Sequence, residues 1–297
     1  TPRCRGVDCG AMSGVGSDAA AFCADLVRAQ DFRTYAASLF VAPDVRRGWL
    51  ALAAFNAEVA HVRDHVSQPL PGEIRLQWWR DVLTGEGQGT RGEAEANPVA
   101  AELLRAIAQY ALPVESFVRL IDTHVFDVYD DPMPDMAALE AHCRDTSAAL
   151  YELRARVLGA SSPDIARIAD HAGIVEGLVD VILALPKHAA RRQLYLPGDL
   201  MNLHGVIAEE VFLHQANAPL AEALAHLRRE ARSQMVQAMT MLADAPQAVR
   251  RAFLPLAVVG KILDRLETSA PFAPPSLSRL GMLWTTWRAA SAEPFRA

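Results

Sequence analysis

Apolar side chains between residues 49 and 66 fall at Leu52, Phe55, Val59, Val62 and Val66, in steps of three and four. Asn56, Glu58, His61, Arg63 and Asp64 occupy the positions between them. That spacing predicts one amphipathic helix over 49–66 with a single buried stripe. Ile165, Ile168, Ala172, Val175, Leu178, Val179 and Ile182 repeat the pattern over 163–185. Pro163 and Asp164 open that helix, and Pro186 is expected to close it.

The same periodicity predicts helices over 18–29, 73–84, 98–111, 113–128, 136–158, 208–216, 219–242, 246–266 and 276–290. Ser17 is placed to cap the first, and Pro219 and Pro246 suit a first helical position, which needs no backbone N–H. Turn residues separate the runs at 42–44, 69–72, 85–92, 130–134 and 271–275. No segment alternates in strand fashion; 193–197 is the one short extended candidate. No repeat of 30–45 residues recurs, which disfavours a solenoid. The expectation is all-α: an irregular tail over 1–17, then a single helical domain over 18–297.

Composition narrows the picture only modestly. The 297 residues are 51% hydrophobic and 22% charged, which excludes a disordered or collagen-like chain. Acidic residues outnumber basic ones, 35 to 29, and a net charge of -6 argues against a nucleic-acid partner. The four cysteines form no CxxC pair, so neither a disulfide framework nor a zinc site is expected. Uncharged runs such as 233–243 are far shorter than the ~20 residues that span a bilayer. No apolar signal-peptide run follows Arg3 and Arg5, and Met12-Ser13 is a candidate translation start. The expected location is cytoplasmic.

Several clusters could carry chemistry, each beside a plainer reading. Glu58, His61 and His65 share a helix face in a Glu-x-x-His pattern, but a di-iron bundle needs a second copy that the chain lacks. Asp127, Asp130, Asp131 and Asp135 crowd a turn that could hold a cation, although acidic turns are common. The eight residues 85–92 are rich in glycine but lack the GK[ST] of a phosphate loop. Glu176 and Asp180 stand four apart on one face, the arrangement that can grip a magnesium diphosphate. His188, Arg191, Arg192 and Tyr195 follow Pro186 and could bind a phosphate, a carboxylate or an acidic partner. Trp78 and Trp79 cannot point the same way on a helix: one belongs in the core, the other at a boundary or groove. No Gly-x-Ser-x-Gly elbow marks a nucleophile.

Together, several of these segments resemble the squalene/phytoene synthase family. The run from Tyr35 to Arg47 (YAASLFVAPDVRR) resembles the family's opening, and Ala54-Phe55 its next helix. The run from Arg191 to Leu200 (RRQLYLPGDL) resembles its R-x-R-x-Y-L-P-x-D-L signature, with Gln193 in the second arginine's place. The resemblance implies the all-α isoprenoid (terpenoid) synthase fold around a central cavity. It also implies head-to-head condensation of prenyl diphosphates, with Mg²⁺ held by carboxylates on two facing helices.

Carried over by position, the first aspartate motif falls on Ala60-His61-Val62-Arg63-Asp64, where only Asp64 is acidic. The second falls on Ala184-Leu185-Pro186-Lys187-His188, where both aspartates are replaced and Lys187 adds positive charge. Glu176 and Asp180 lie eight residues too early, about 12 Å along a helix, and are expected to face a different layer. The metal–diphosphate site is therefore expected to be broken.

The altered segments narrow the resemblance further. Residues 54–67 (AFNAEVAHVRDHVS), Arg75-Leu76-Gln77-Trp78-Trp79 and 177–192 are similar to stretches of the subgroup containing the mitochondrial complex I assembly factors of phytoene-synthase type. That subgroup implies a non-catalytic role in building NADH:ubiquinone oxidoreductase. The implied partners are complex I subunits, with an isoprenoid or lipid as a candidate occupant of the cavity. Peripheral contact with the inner membrane is implied too, on the matrix side in a mitochondrion. Asn56, Glu58, His61, Arg63, Asp64, Trp78, His188, Arg191, Arg192 and Tyr195 are then expected at the old active-site mouth, binding a partner or an anionic ligand. The alternative is a working prenyltransferase whose acids are Glu58, Asp64, Glu176 and Asp180, with Mg²⁺ held by Asp64 and Asp180.

Overall fold

The computed structural model describes residues 11–66, 68–86 and 90–292. Among these residues there are helices and connections but no strand. The helices run in the order α1 (Ala11–Gln30), α2 (Phe32–Ser38), α3 (Pro43–Ala60), α4 (Pro69–Thr84), α5 (Thr90–Ala96), α6 (Pro98–Tyr110), α7 (Val114–Tyr129) and α8 (Met136–Cys143). They continue as α9 (Ala149–Val157), α10 (Pro163–Ala190), α11 (Gly198–His204), α12 (Ala208–Phe212), α13 (Ala218–Ala243), α14 (Gln247–Ala252), α15 (Pro255–Leu266) and α16 (Arg279–Ser291). No helix is long and apolar enough to cross a membrane, among the described residues.

Local chemistry sets most boundaries. Asp31, Asn97, Asp135, Ser162, Asn217 and Ser278 each accept a backbone N–H from the first turn of the helix that follows. Pro43, Pro69, Pro98, Pro163 and Pro255 sit at first-turn positions.

Two apolar clusters hold the bundle. One surrounds α3, where Phe55 meets Trp79 edge-on at 5.1 Å and Phe117 at 5.5 Å. The other surrounds α10, whose Ile168, Val175 and Leu178 pack with Leu224 and Leu227 of α13. The Trp pair divides as expected: Trp79 is fully buried, while Trp78 lies at a surface groove.

The departures from the sequence reading have local causes. Helix α1 begins at Ala11, so 11–17 are helical rather than an irregular tail and Ser17 is no cap; 1–10 lie outside the described residues. The helix expected over 49–66 ends at Ala60, where the His61 ring nitrogen Nδ1 meets the Ala57 carbonyl at 2.8 Å. The chain tightens there into a 3₁₀ turn, Val62–His65. Pro186 does not close its helix, which runs on to Ala190. The proline removes one backbone bond, and the turn beyond it is held by buried Ala189 and by side-chain ties described below.

The run expected over 136–158 is interrupted by a π-helical turn, Arg144–Ala148, which packs against α10. Two glycines of α10 permit that approach. A Cβ on Gly173 would stand 2.3 Å from the Ala148 backbone nitrogen, and one on Gly177 would meet the Cys143 sulfur at 2.2 Å. The run over 246–266 breaks between α14 and Pro255, and part of the glycine-rich stretch enters α5. Residues 193–197 are irregular, with a bend at Leu196 and the Leu194 carbonyl accepting from Met133 N–H at 2.9 Å.

Candidate functional site

A cavity of about 300 Å³ lies between α2, α3, α7, α8, α9 and α10. Ala60 and Asp64 line one wall, and Ala184 and His188 line another. All four places expected for metal-binding carboxylates thus face one space, and only Asp64 supplies an acid.

That acid is engaged. Lys187 Nζ donates to Asp64 Oδ2 at 2.6 Å, and Arg191 Nη1 donates to Oδ1. Burial acts to raise the Asp64 pKa, but Lys187 and Arg191 outweigh it and hold the carboxyl below its ordinary range. The 3₁₀ turn that ends the 49–66 run carries Asp64 to this position, and the helix that continues past Pro186 carries its two partners.

Glu176 and Asp180 also line this cavity. They are held by Arg33 of α2. Its Nη2 donates to Glu176 Oε1 at 2.8 Å and to Asp180 Oδ2 at 3.0 Å, and its Nη1 donates to Asp180 Oδ1 at 3.1 Å. Burial lifts the Glu176 carboxyl above its usual range, with Arg33 opposing. Arg154, 2% exposed, lies behind this group between the rings of Trp49 and Tyr151 at 5.5 and 5.1 Å.

The acidic turn is structural. His124 pairs with Asp127, and Tyr195 donates its hydroxyl to the same carboxylate. Burial pushes the Asp127 pKa up, but His124 overrides it and the net direction is down. The Tyr195 hydroxyl is pushed up by burial and by Asp127. Asp130 accepts two bonds from Arg63, and Asp135 caps α8. Gln193, 3% exposed, donates to the Asp127 carbonyl, so it braces this cluster where the family has an arginine.

The His188 ring lies against the Tyr195 ring, tilted by 35°, with centroids 4.6 Å apart. Burial, then the adjacent Lys187, lower its pKa from 6.5 to about 4. A folded pKa below the unfolded value means the neutral ring stabilises the fold above about pH 6.5, and that contribution is lost as pH falls toward 4. A histidine NMR titration should find His188 neutral at pH 5.5. Unfolding free energy should fall between pH 6.5 and 4 less steeply in His188→Phe than in the parent.

Asn56, His61, Arg63, Asp64, His188, Arg191 and Tyr195 share the cavity. Glu58, Trp78 and Arg192 do not line it. Glu58 pairs with Arg75, and the Trp78 indole donates to Glu93 at 2.9 Å. Arg192 points outward to Glu209 at 2.8 Å and over the Phe212 ring, because its positive φ of 59° turns the chain there. Arg33, Arg154, His124 and His142 line the cavity without having been singled out in the sequence. Only the acid-x3-acid spacing of Glu176 and Asp180 hinted that a basic partner was needed.

The residues present do not fit a magnesium cluster. The lining holds five bases, Arg33, Arg63, Arg154, Lys187 and Arg191, against five acids, Asp31, Asp64, Asp127, Glu176 and Asp180. No surplus negative charge remains to attract divalent ions. Asp64 and Asp180, the pair considered for Mg²⁺, are bound to different cations. No group of three or more His, Cys, Asp or Glu is placed to hold a metal, among the described residues.

A family model described as squalene/phytoene synthase matches residues 27–282. The chain is 28% identical to "NADH dehydrogenase (ubiquinone) complex I, assembly factor 6" of Rattus norvegicus over 86% of its length and 77% of the relative's. It is 26% identical to a presqualene diphosphate synthase of Rhodopseudomonas palustris over 64% of the chain and 68% of that protein. The structure aligns with a squalene synthase of Alicyclobacillus acidocaldarius at a TM-score of 0.71 and 18% identity, covering 88% of this chain and 97% of the other. That likeness shows the isoprenoid synthase fold.

Proposed function

We propose, from the premise that this chain belongs to the squalene/phytoene synthase family, that it is a non-catalytic assembly factor for respiratory complex I. The observation that carries this reading is the pair of salt bridges from Lys187 and Arg191 to Asp64. It joins the two walls on which the family places its metal ligands, and it neutralises the one carboxylate left there. Ionising an allylic diphosphate requires concentrated positive charge at the leaving group, which Mg²⁺ ions supply when several carboxylates hold them in place. In this cavity Asp64, Glu176 and Asp180 are instead engaged by internal arginine and lysine contacts. The relatives named for complex I assembly support the rest, since the match extends over more of this chain than the match to the synthase from Rhodopseudomonas.

In this reading the helical body is a binding surface, and Asn56, His61, Arg63, His188, Arg191 and Tyr195 shape the face offered to a subunit or an anionic ligand. The protein acts in the cytoplasm of a bacterium or the matrix of a mitochondrion, at the inner membrane surface. Deleting the gene should lower NADH:ubiquinone oxidoreductase activity and the amount of fully assembled complex on native gels, and re-expression should restore both. Unchanged complex I in the deletion strain would exclude the assembly role.

A further inference from the structure

Helix α16 presents an unusual outer face. Leu280 is 78% exposed, Trp284 60% and Trp287 48%. Their spacing of four and three residues sets them in one stripe about 10 Å long. The two indoles lie side by side, with ring centroids 4.9 Å apart. The inner face is fixed to the bundle through fully buried Thr286 and Ala289, on α15 and α2. The helix is thus firmly held and still leaves two of the chain's five tryptophans in contact with water.

Charge around the stripe is also unlike the rest of the molecule. Residues 268–292 contain no Asp or Glu, in a chain of net charge -6. The charged residues in that stretch are Arg279 and Arg288, both exposed, near the two ends of the stripe. Arg279 is steadied over the Phe32 ring at 5.0 Å.

We infer that this face of α16 docks on an anionic lipid bilayer. Tryptophan favours the boundary between headgroups and acyl chains, where its ring is apolar and its N–H stays wet. Arginines flanking an apolar stripe suit an interfacial helix lying in the membrane plane. A second copy is a poorer occupant, because a two-fold contact would set the exposed arginines of one stripe against those of the other. The inference deepens the proposed function and rests on its placing of the protein at a membrane-bound complex.

The test uses the purified full chain and vesicles, with no complex I present, so its failure is distinguishable from failure of the assembly role. Sedimentation with vesicles of 70% phosphatidylcholine and 30% phosphatidylglycerol should show binding, with a blue shift of tryptophan emission. Pure phosphatidylcholine vesicles should bind much less. Replacing Trp284→Ser and Trp287→Ser together should weaken binding by roughly tenfold or more. Arg288→Gln should weaken it by roughly fivefold. Thermal unfolding should be unchanged in both, because these side chains are outside the core. Absence of binding, or equal binding by the Trp variant, would overturn the inference. So would a concentration-dependent dimer that the Trp variant loses. A Trp variant that binds vesicles normally yet fails to restore complex I would identify a protein interface there and overturn it as well.

Discussion

Replacing Arg33 with Ala should destabilise the fold by roughly 3–5 kcal/mol, as expected when one partner of a buried ion pair is removed and the other is left in place. Arg33 is the shared donor to Glu176 and Asp180. The Glu176 side chain is only 9% exposed, whereas that of Asp180 is 44% exposed. Most of the cost should therefore come from Glu176, which has little water to replace the guanidinium. Burial already favours its neutral form, and loss of Arg33 removes the main opposition. A carboxyl whose folded pKa is raised stabilises the fold below its unfolded pKa and loses that contribution as pH rises through the folded value. The deficit of Arg33→Ala should thus be smaller near pH 4.5 than at pH 7.5. Glu176→Gln in the same chain should recover a large part of it. Urea unfolding at both pH values checks each statement; an equal deficit at both would show that the ion pair is not its source.

Much of the fold was legible because burial follows helical periodicity closely. The stripe Ile168, Val175, Leu178 and Ile182 is the buried face of α10, as its spacing requires. The errors occurred where a local rule met a tertiary one. Pro186 reads as a stop, yet contacts beyond it outweigh one missing hydrogen bond. The 49–66 stripe keeps its period through Val62, which is buried, but the backbone has already changed to 3₁₀ geometry. A hydrophobic pattern reports which side chains are buried and is nearly blind to such a change of pitch.

The site was legible by position but not by partner. Ala60, Asp64, Ala184 and His188 were placed by family motifs, and all four face the cavity. The contacts that disarm it could not be read in the same way. Arg33 meets its acids across 143 and 147 residues of sequence, and nothing local distinguishes it from any other arginine. Glu58, Trp78 and Arg192 show the converse problem. Glu58 and Arg192 are close in sequence to cavity residues, but their side chains leave by another face, and Trp78 sits on α4, which contributes nothing to the lining.

The most direct test of a silent cavity is incubation with farnesyl or geranylgeranyl diphosphate and Mg²⁺, following release of diphosphate and formation of condensed product. Enzymes commonly accelerate their reactions ~10⁶-fold or more, so a retained activity would stand far above background. The geometry predicts background rates, because Asp64 is bound by Lys187 and Arg191 and the nearest acid pair by Arg33. Asp64→Ala should leave that background unchanged. Magnesium-dependent product that disappears in Asp64→Ala would contradict the account, showing that Asp64 exchanges its lysine and arginine for a metal and that the cavity is still a catalyst.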